Sequence, residues 1–194
     1  MKSKKSKIID EVRERINKGD LSAFEAHYTP DFKLSGSEVW FLGVDELIGR
    51  FAFEHYVRII RNDFLSFDVE TEVLVEVEEG DHVMRRIIWR GRNPKVNPIM
   101  KIGTPPSVEP WIDMFILYKF RGDKICEEHS VYNTIQTELR MCDGDIERML
   151  DKTKQMLSMG HNMREKVIRE EHCIPDPTPI IEEQQLMAKQ KIIQ

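Results

Sequence analysis

Cysteine is scarce: Cys126, Cys142 and Cys173 are the only three in 194 residues, and neither a CxxC nor a mixed Cys and His ligand spacing surrounds them. An odd, scattered set of this kind argues against a disulfide framework and against a structural metal site, leaving reduced thiols and no metal. Long apolar runs are also missing. No stretch approaches the roughly 18–20 apolar residues that a bilayer span requires, so a membrane-crossing helix is not expected. After the basic start MKSKKSK, Ile8 and Ile9 give way at once to Asp10, Glu11 and Arg13. That is the opposite of a secretory leader, and a cytoplasmic location is the expectation. Positive charge is not in excess either: the formal net charge is -5. A general nucleic-acid binder needs clustered Lys and Arg for its phosphate contacts, so that class is set aside. Repeats and low-complexity tracts are absent.

What is present is a chain with 40% hydrophobic residues, enough for one core and an appendage. Ile8, Ile9, Val12 and Ile16 predict an amphipathic helix over about Lys4 to Asn17. A short helix over Leu21 to His27, capped by Asp20 and ended by Pro30, follows. Phe32 to Leu42 reads as a strand interrupted by a turn, strongest at Val39, Trp40 and Phe41. Leu47, Ile48, Phe51, Tyr56, Ile59 and Ile60 recur near helical spacing behind Asp45, which predicts a helix to about Asn62. Phe67 to Val77 alternates sharply, placing the valines on one face and the glutamates on the other, and His82 to Arg90 returns as its partner after a turn at 78–81. Asn93 to Pro106 is a Pro-rich loop.

Glu109 to Asn133 predicts two long antiparallel strands joined at Gly122 and Asp123. Turn parity opposes Ile116 to His129, Tyr118 to Glu127 and Ile112 to Asn133, which puts His129 and Asn133 on one apolar face; a β-bulge would shift the assignment. Residues 145–169 form an amphipathic helix interrupted near Gly160, and Pro175, Pro177 and Pro179 lead to a tail over 180–194 that is helical only when docked. The order of elements predicts an α+β fold: a strongly curved antiparallel sheet packed on N-terminal helices as a cone, spanning 1–141, with a helical extension and Pro-containing tail over 142–194. A sheet curled in this way leaves a conical cavity of the kind that takes small ligands.

NKGDLSAFEAHYTPDF at Asn17 to Phe32, Gly43 and the helix behind it, IGTPPS at Ile102 to Ser107, and FRGDKICEEHSVYN at the hairpin together resemble the SnoaL-like branch of the nuclear-transport-factor-2-like superfamily, which includes polyketide and ester cyclases. The resemblance covers about Ile8 to Met141. It implies acid-base catalysis without metal or organic cofactor, by an aspartate near the end of the last strand. Asn133 stands at that position, and His129 replaces the family's usual tryptophan. A carboxamide cannot carry a proton, whereas imidazole titrates near neutrality, so His129 is the candidate base and Asn133 a candidate orienting group.

Each candidate has a plainer reading beside it. His129 could be a ring packed on Ile116, and Glu127 a solvated edge residue. Arg85 and Arg86 are adjacent, so one of them must face the concave side; parity selects Arg86, either as a ligand anchor or as half of an internal salt bridge. Trp40, Tyr28, Tyr56, Tyr118 and Ile116 are candidate substrate-lining residues and equally candidate core. The apolar stripe of 145–169 predicts a homodimer. The resulting expectation is a small-molecule-binding protein, an isomerase or cyclase acting on a carbonyl-containing apolar ligand. The alternative is a non-catalytic cone domain that serves as a dimerisation or interaction scaffold.

Overall fold

The computed structural model describes residues 2–58, 69–91, 105, 108, 111–169 and 173–175. Helix α1 (Lys4–Lys18) starts where Ser3 accepts a hydrogen bond from the Ser6 amide, and stops at Gly19, which turns left-handed at φ 70°. Its buried stripe, Ile9, Val12 and Ile16, faces the sheet side of the core. Helix α2 (Ala23–His27) is a single turn, and the chain then enters β1 (Tyr28–Gly36) directly, carrying Pro30 inside the strand.

From here the elements depart from the sequence pattern. Trp40–Leu42 is a turn of 3-10 helix, not a strand, and the strand that follows it is β2 (Val44–Ile48). Val44 and Leu47 are buried there while Asp45 is exposed, so the residue expected to cap a helix lies in a strand paired antiparallel with β1. The helical spacing is real but begins later: Gly49, at φ 70°, separates β2 from α3 (Gly49–Arg58). The expected end of that helix at 59–62, the start of the next strand at 67, nearly all of the Pro-rich loop with its IGTPPS segment, and the tail beyond 175 lie outside the described residues.

Strands β3 (Val69–Glu79), β4 (His82–Gly91), β5 (Trp111–Arg121) and β6 (Lys124–Val131) form an antiparallel meander. The sheet continues through β1, β2 and a short β7 (Cys173–Pro175), in the order β3-β4-β5-β6-β1-β2-β7. Among the described residues every pairing is antiparallel except one, since β1 runs parallel to β6. The result is the curved α+β sheet packed on N-terminal helices that the sequence predicts, closed by a parallel seam that it does not.

That seam depends on a glycine. Gly36 sits at φ 94° beside β6, and a Cβ built there would lie 2.0 Å from the Ser130 carbonyl oxygen. The same oxygen accepts a hydrogen bond from the Ser37 amide at 2.9 Å. Gly36→Ala adds both a backbone clash and a disfavoured left-handed residue, so it should cost at least about 2 kcal/mol in urea unfolding. A variant within 0.5 kcal/mol of wild type, on the order of ordinary surface substitutions, would mean that the seam is not closely packed there.

Two bulges set which face each side chain takes. In β3 the register shifts between Val73 and Val75, so Val75 pairs with Arg86 and Val77 with Met84 on the outer face, whereas Glu76 pairs with the buried Arg85. The uninterrupted alternation expected for β3 therefore fails at its middle. In β6, Phe120 pairs with Ile125 but Lys119 with Glu127, which leaves Cys126 as the extra residue. Its thiol donates to the Lys119 carbonyl oxygen at 3.4 Å.

Helix α4 (Thr134–Met141) follows β6, and the long α5 (Ile146–Arg169) continues unbroken through Gly160. The two helices are joined by a buried ion pair, Lys152 to Glu138 at 2.6 Å. Among the described residues no helix is long and apolar enough to cross a membrane.

Candidate active site

The extra residue in β6 inverts the expected face of everything after it. His129 pairs with Leu117, not Ile116, and its exposed ring meets the Ser35 hydroxyl at 2.8 Å on the outer side of the sheet. Asn133 is an exposed N-cap whose side-chain oxygen accepts from the Gln136 amide. Arg86 also faces outward, forked onto Asp113 at 3.0 and 2.7 Å and stacked over Phe115. The parity argument for the arginine pair holds in its general form, but the β3 bulge and the observed register select Arg85. That guanidinium is 2% exposed and fully engaged by Asp10, Glu76 and Ser6. Ile116 is on the inner face, and Trp40 is half-buried against the core. Glu127 pairs with Lys119 at the surface.

What the inversion turns inward is Glu128. It shares a cross-strand row with Tyr118 on β5 and Leu34 on β1, and it is 1% exposed. Arg13, reaching across from α1, donates to Glu128 Oε1 at 2.6 Å and to the Tyr118 hydroxyl from Nε at 3.1 Å. A second donation, from Nη2, goes to the same hydroxyl. The guanidinium lies 5.1, 5.2 and 5.6 Å from the ring centres of Tyr56, Trp89 and Tyr118, so three aromatic faces enclose it. Burial lowers the pKa of this arginine, but Tyr118 and Glu128 outweigh it and hold the pKa above the usual range.

A second acid completes the cluster. Glu38, just beyond β1, is 4% exposed, and neither carboxylate oxygen has a side-chain hydrogen-bond partner among the described residues. Burial first, and then the charge of Glu128, push its pKa up to about 8; a backbone hydrogen bond and Arg13 offset only part of this. Burial likewise raises Glu128, against the pull of Arg13. It raises the phenols of Tyr28 and Tyr118 too, with Glu128 adding to both. Polar atoms with no hydrogen-bond partner among the described residues collect on the same side, namely Arg13 Nη1, Trp89 Nε1, Ser130 Oγ and the Tyr56 hydroxyl, while the Tyr28 hydroxyl interacts with Glu128. Buried polar groups normally find partners in protein or in ordered water, so these atoms mark the polar part of the inner face.

Three of the aromatic candidates, Tyr28, Tyr56 and Tyr118, therefore sit in or beside the cluster, while His129, Asn133 and Arg86 do not. Arg13, Glu38, Glu128, Trp89 and Ser130 were not singled out from sequence. A readable signal existed for two of them. Arg13 stands on the buried stripe of α1, four residues after Ile9 and three before Ile16. Glu127 and Glu128 are adjacent in a strand with one buried face, so one acid had to turn inward, as with Arg85 and Arg86. Glu38 carried no such signal. Among the described residues no group of three or more His, Cys, Asp or Glu side chains is placed to hold a metal ion.

Comparison with known proteins agrees with this architecture. No curated protein matches the chain. A candidate polyketide cyclase from Acidithiobacillus ferrooxidans superposes with a TM-score of 0.60 at 16% identity, over 75% of this chain and 99% of the other. IdmH, a candidate polyketide cyclase from Streptomyces antibioticus, gives a TM-score of 0.55 at 20% identity, over 71% and 97%. A protein with a ketosteroid isomerase-like fold from Catenulispora acidiphila gives 0.51 at 12% identity, over 69% and 91%. Identities this low speak to fold alone. The family model described as a SnoaL-like domain matches residues 9–128, well over half of the chain, and the chain thus belongs to the SnoaL-like family.

Proposed function

We propose that this protein binds a carbonyl-containing apolar small molecule at the inner-face cluster and moves a proton on it, as an isomerase or cyclase that needs no cofactor. The carrying observation is Glu38: a buried carboxyl with no side-chain hydrogen-bond partner among the described residues and a pKa pushed up to about 8. At neutral pH such a group is mostly the neutral acid, able to donate to a carbonyl oxygen and still close enough to its pKa to give the proton up. Glu128, a carboxylate held by Arg13 through Oε1 with the Tyr28 hydroxyl beside it, is the complementary acceptor for a proton next to that carbonyl. Donation by one acid and abstraction by the other yields an enol, and reversal at a different carbon completes an isomerisation. Tyr28 and Tyr56 supply further hydroxyls and apolar faces. Two of the structural relatives are described as candidate polyketide cyclases, which supports a carbonyl-rich ligand class.

The test is hydrogen-deuterium exchange next to the carbonyl in a panel of cyclic ketones and 1,3-diketones, followed by mass spectrometry. Wild type should accelerate exchange in at least one of them. Glu38→Gln should slow it at least about a hundredfold, while His129→Ala stays within about twofold, since ring 129 faces outward. Equal rates for wild type and Glu38→Gln would remove Glu38 from the chemistry.

A further inference from the structure

Glu38 and Glu128 are buried together with Arg13, Tyr28, Tyr56 and Trp89, so some element must move before a small molecule reaches either acid. The sheet and α1 are poor candidates. Strands β5, β6 and β1 are held in one ladder, and Arg13 ties α1 to Tyr118 and Glu128. Glu38 itself lies outside both, on the segment that leads from β1 into the 3-10 turn Trp40–Leu42. Upstream of it, Ser37 is pinned to Tyr132, whose amide donates to the Ser37 hydroxyl at 3.1 Å and whose phenol donates to the Ser37 carbonyl oxygen at 3.3 Å. Downstream, the chain re-enters the sheet only at Val44.

We propose that α5 and β7 form a strap across that turn, which lifts to admit the ligand and closes to bury Glu38. The inference rests on the reading of Glu38 as the proton donor. Helix α5 packs along Trp40–Leu42, and its Arg164 guanidinium lies 3.6 Å from the position that a Cβ on Gly43 would take, at the end of the turn. Beyond α5, β7 pairs antiparallel with β2, the strand that follows the same turn. The strap thus holds both the turn and the strand behind it. Its two ends are fastened unequally. Toward the start of α5, Lys152 forms the buried ion pair with Glu138, and Met156 enters the core. At the other end the tie is slight, because β7 has three residues and the pairing shifts register between Val44 and Glu46. A segment held by few contacts opens at the lowest cost, so the strap releases at β7 and pivots about Lys152 and Met156. The family match ends at residue 128, so α5 and β7 both lie beyond the matched domain.

A reversible staple in the full chain tests this. Glu46 and Ile174 oppose each other across β2 and β7. Opposed residues of an antiparallel pair have Cα atoms about 4.5–5.5 Å apart, within reach of a disulfide. Glu46→Cys with Ile174→Cys, in a Cys173→Ser background that removes the neighbouring thiol, is compared oxidised and reduced. Two rates are read: backbone amide exchange at residues 37–44, and ketone exchange in the panel used for Glu38. Oxidation should slow both at least about tenfold, and reduction should restore them. Arg164→Ala, which removes the contact on Gly43, should speed amide exchange at 37–44 at least about threefold, and it decides if the cysteine variant fails to fold. Amide rates that ignore the staple overturn the strap. So does a ketone rate unchanged by oxidation. A wild type without ketone exchange sinks the proton-transfer reading alone, and the amide rates still judge the strap.

Discussion

Arg13→Met should destabilise the protein by about 3–5 kcal/mol, the usual consequence of leaving one member of a buried ion pair behind. The variant keeps the volume and apolar stem of the side chain but strands Glu128, which is 1% exposed and draws its Oε1 contact from this guanidinium. It also empties the space between the rings of Tyr56, Trp89 and Tyr118 of their common cation. Urea unfolding at pH 7 measures the loss. The double variant Arg13→Met with Glu128→Leu removes both charges and should recover much of it, because two apolar groups of similar volume often replace a buried pair at little cost. A single variant as stable as wild type would mean that Glu128 does not depend on Arg13, and the electrostatic account of the cluster would fall with it.

Glu38 gives the second large effect, and it is written in pH. Its carboxyl titrates near 4.5 when solvated and near 8 in the fold. Between those values the unfolded chain releases a proton that the native protein retains, so the native state binds more protons and stability falls as pH rises. The contribution is complete below about pH 4.5 and lost by about pH 8, at about 1.4 kcal/mol per pH unit across the window. Wild type should thus lose several kcal/mol between pH 5 and pH 8, Glu128 adding in the same direction since its pKa is also raised. Glu38→Gln cannot ionise and should show a distinctly flatter profile, becoming the more stable protein on the alkaline side. Parallel profiles for the two proteins would show that Glu38 is not held protonated. Stability lost to a buried acid is what a fold tolerates when that acid has work to do.

The regular parts of this architecture were legible in the residues. Four apolar positions at helical spacing located α1, and Gly122 with Asp123 located the β5–β6 turn, because short-range periodicity and turn chemistry leave direct marks. The parallel seam left none: nothing local in Tyr28 to Gly36 says that its neighbour lies some 95 residues away. The site was lost to a single residue. Cys126 is apolar and fits the strand pattern, so the bulge that it forms could not be read from parity, and every later side chain was assigned to the wrong face. Parity read straight through Cys126 turns His129 inward and Glu128 outward, the reverse of the observed register. Among the aromatics, Tyr28, Tyr56 and Tyr118 survived because bulky residues at buried spacings point inward whether they serve packing or chemistry.

The parallel junction between β1 and β6 also orders the assembly of the molecule in time. The meander β3 to β6 is made of neighbours in sequence and can form early, but Ser35 and His129 meet across 94 positions. Bringing such distant segments together carries a loop-closure cost that local hairpins avoid. The N-terminal third is therefore expected to dock onto the meander after it forms, with Arg13 meeting Glu128 at that step. The buried cluster around Arg13 and Glu128 is then expected among the last features of the chain to become complete.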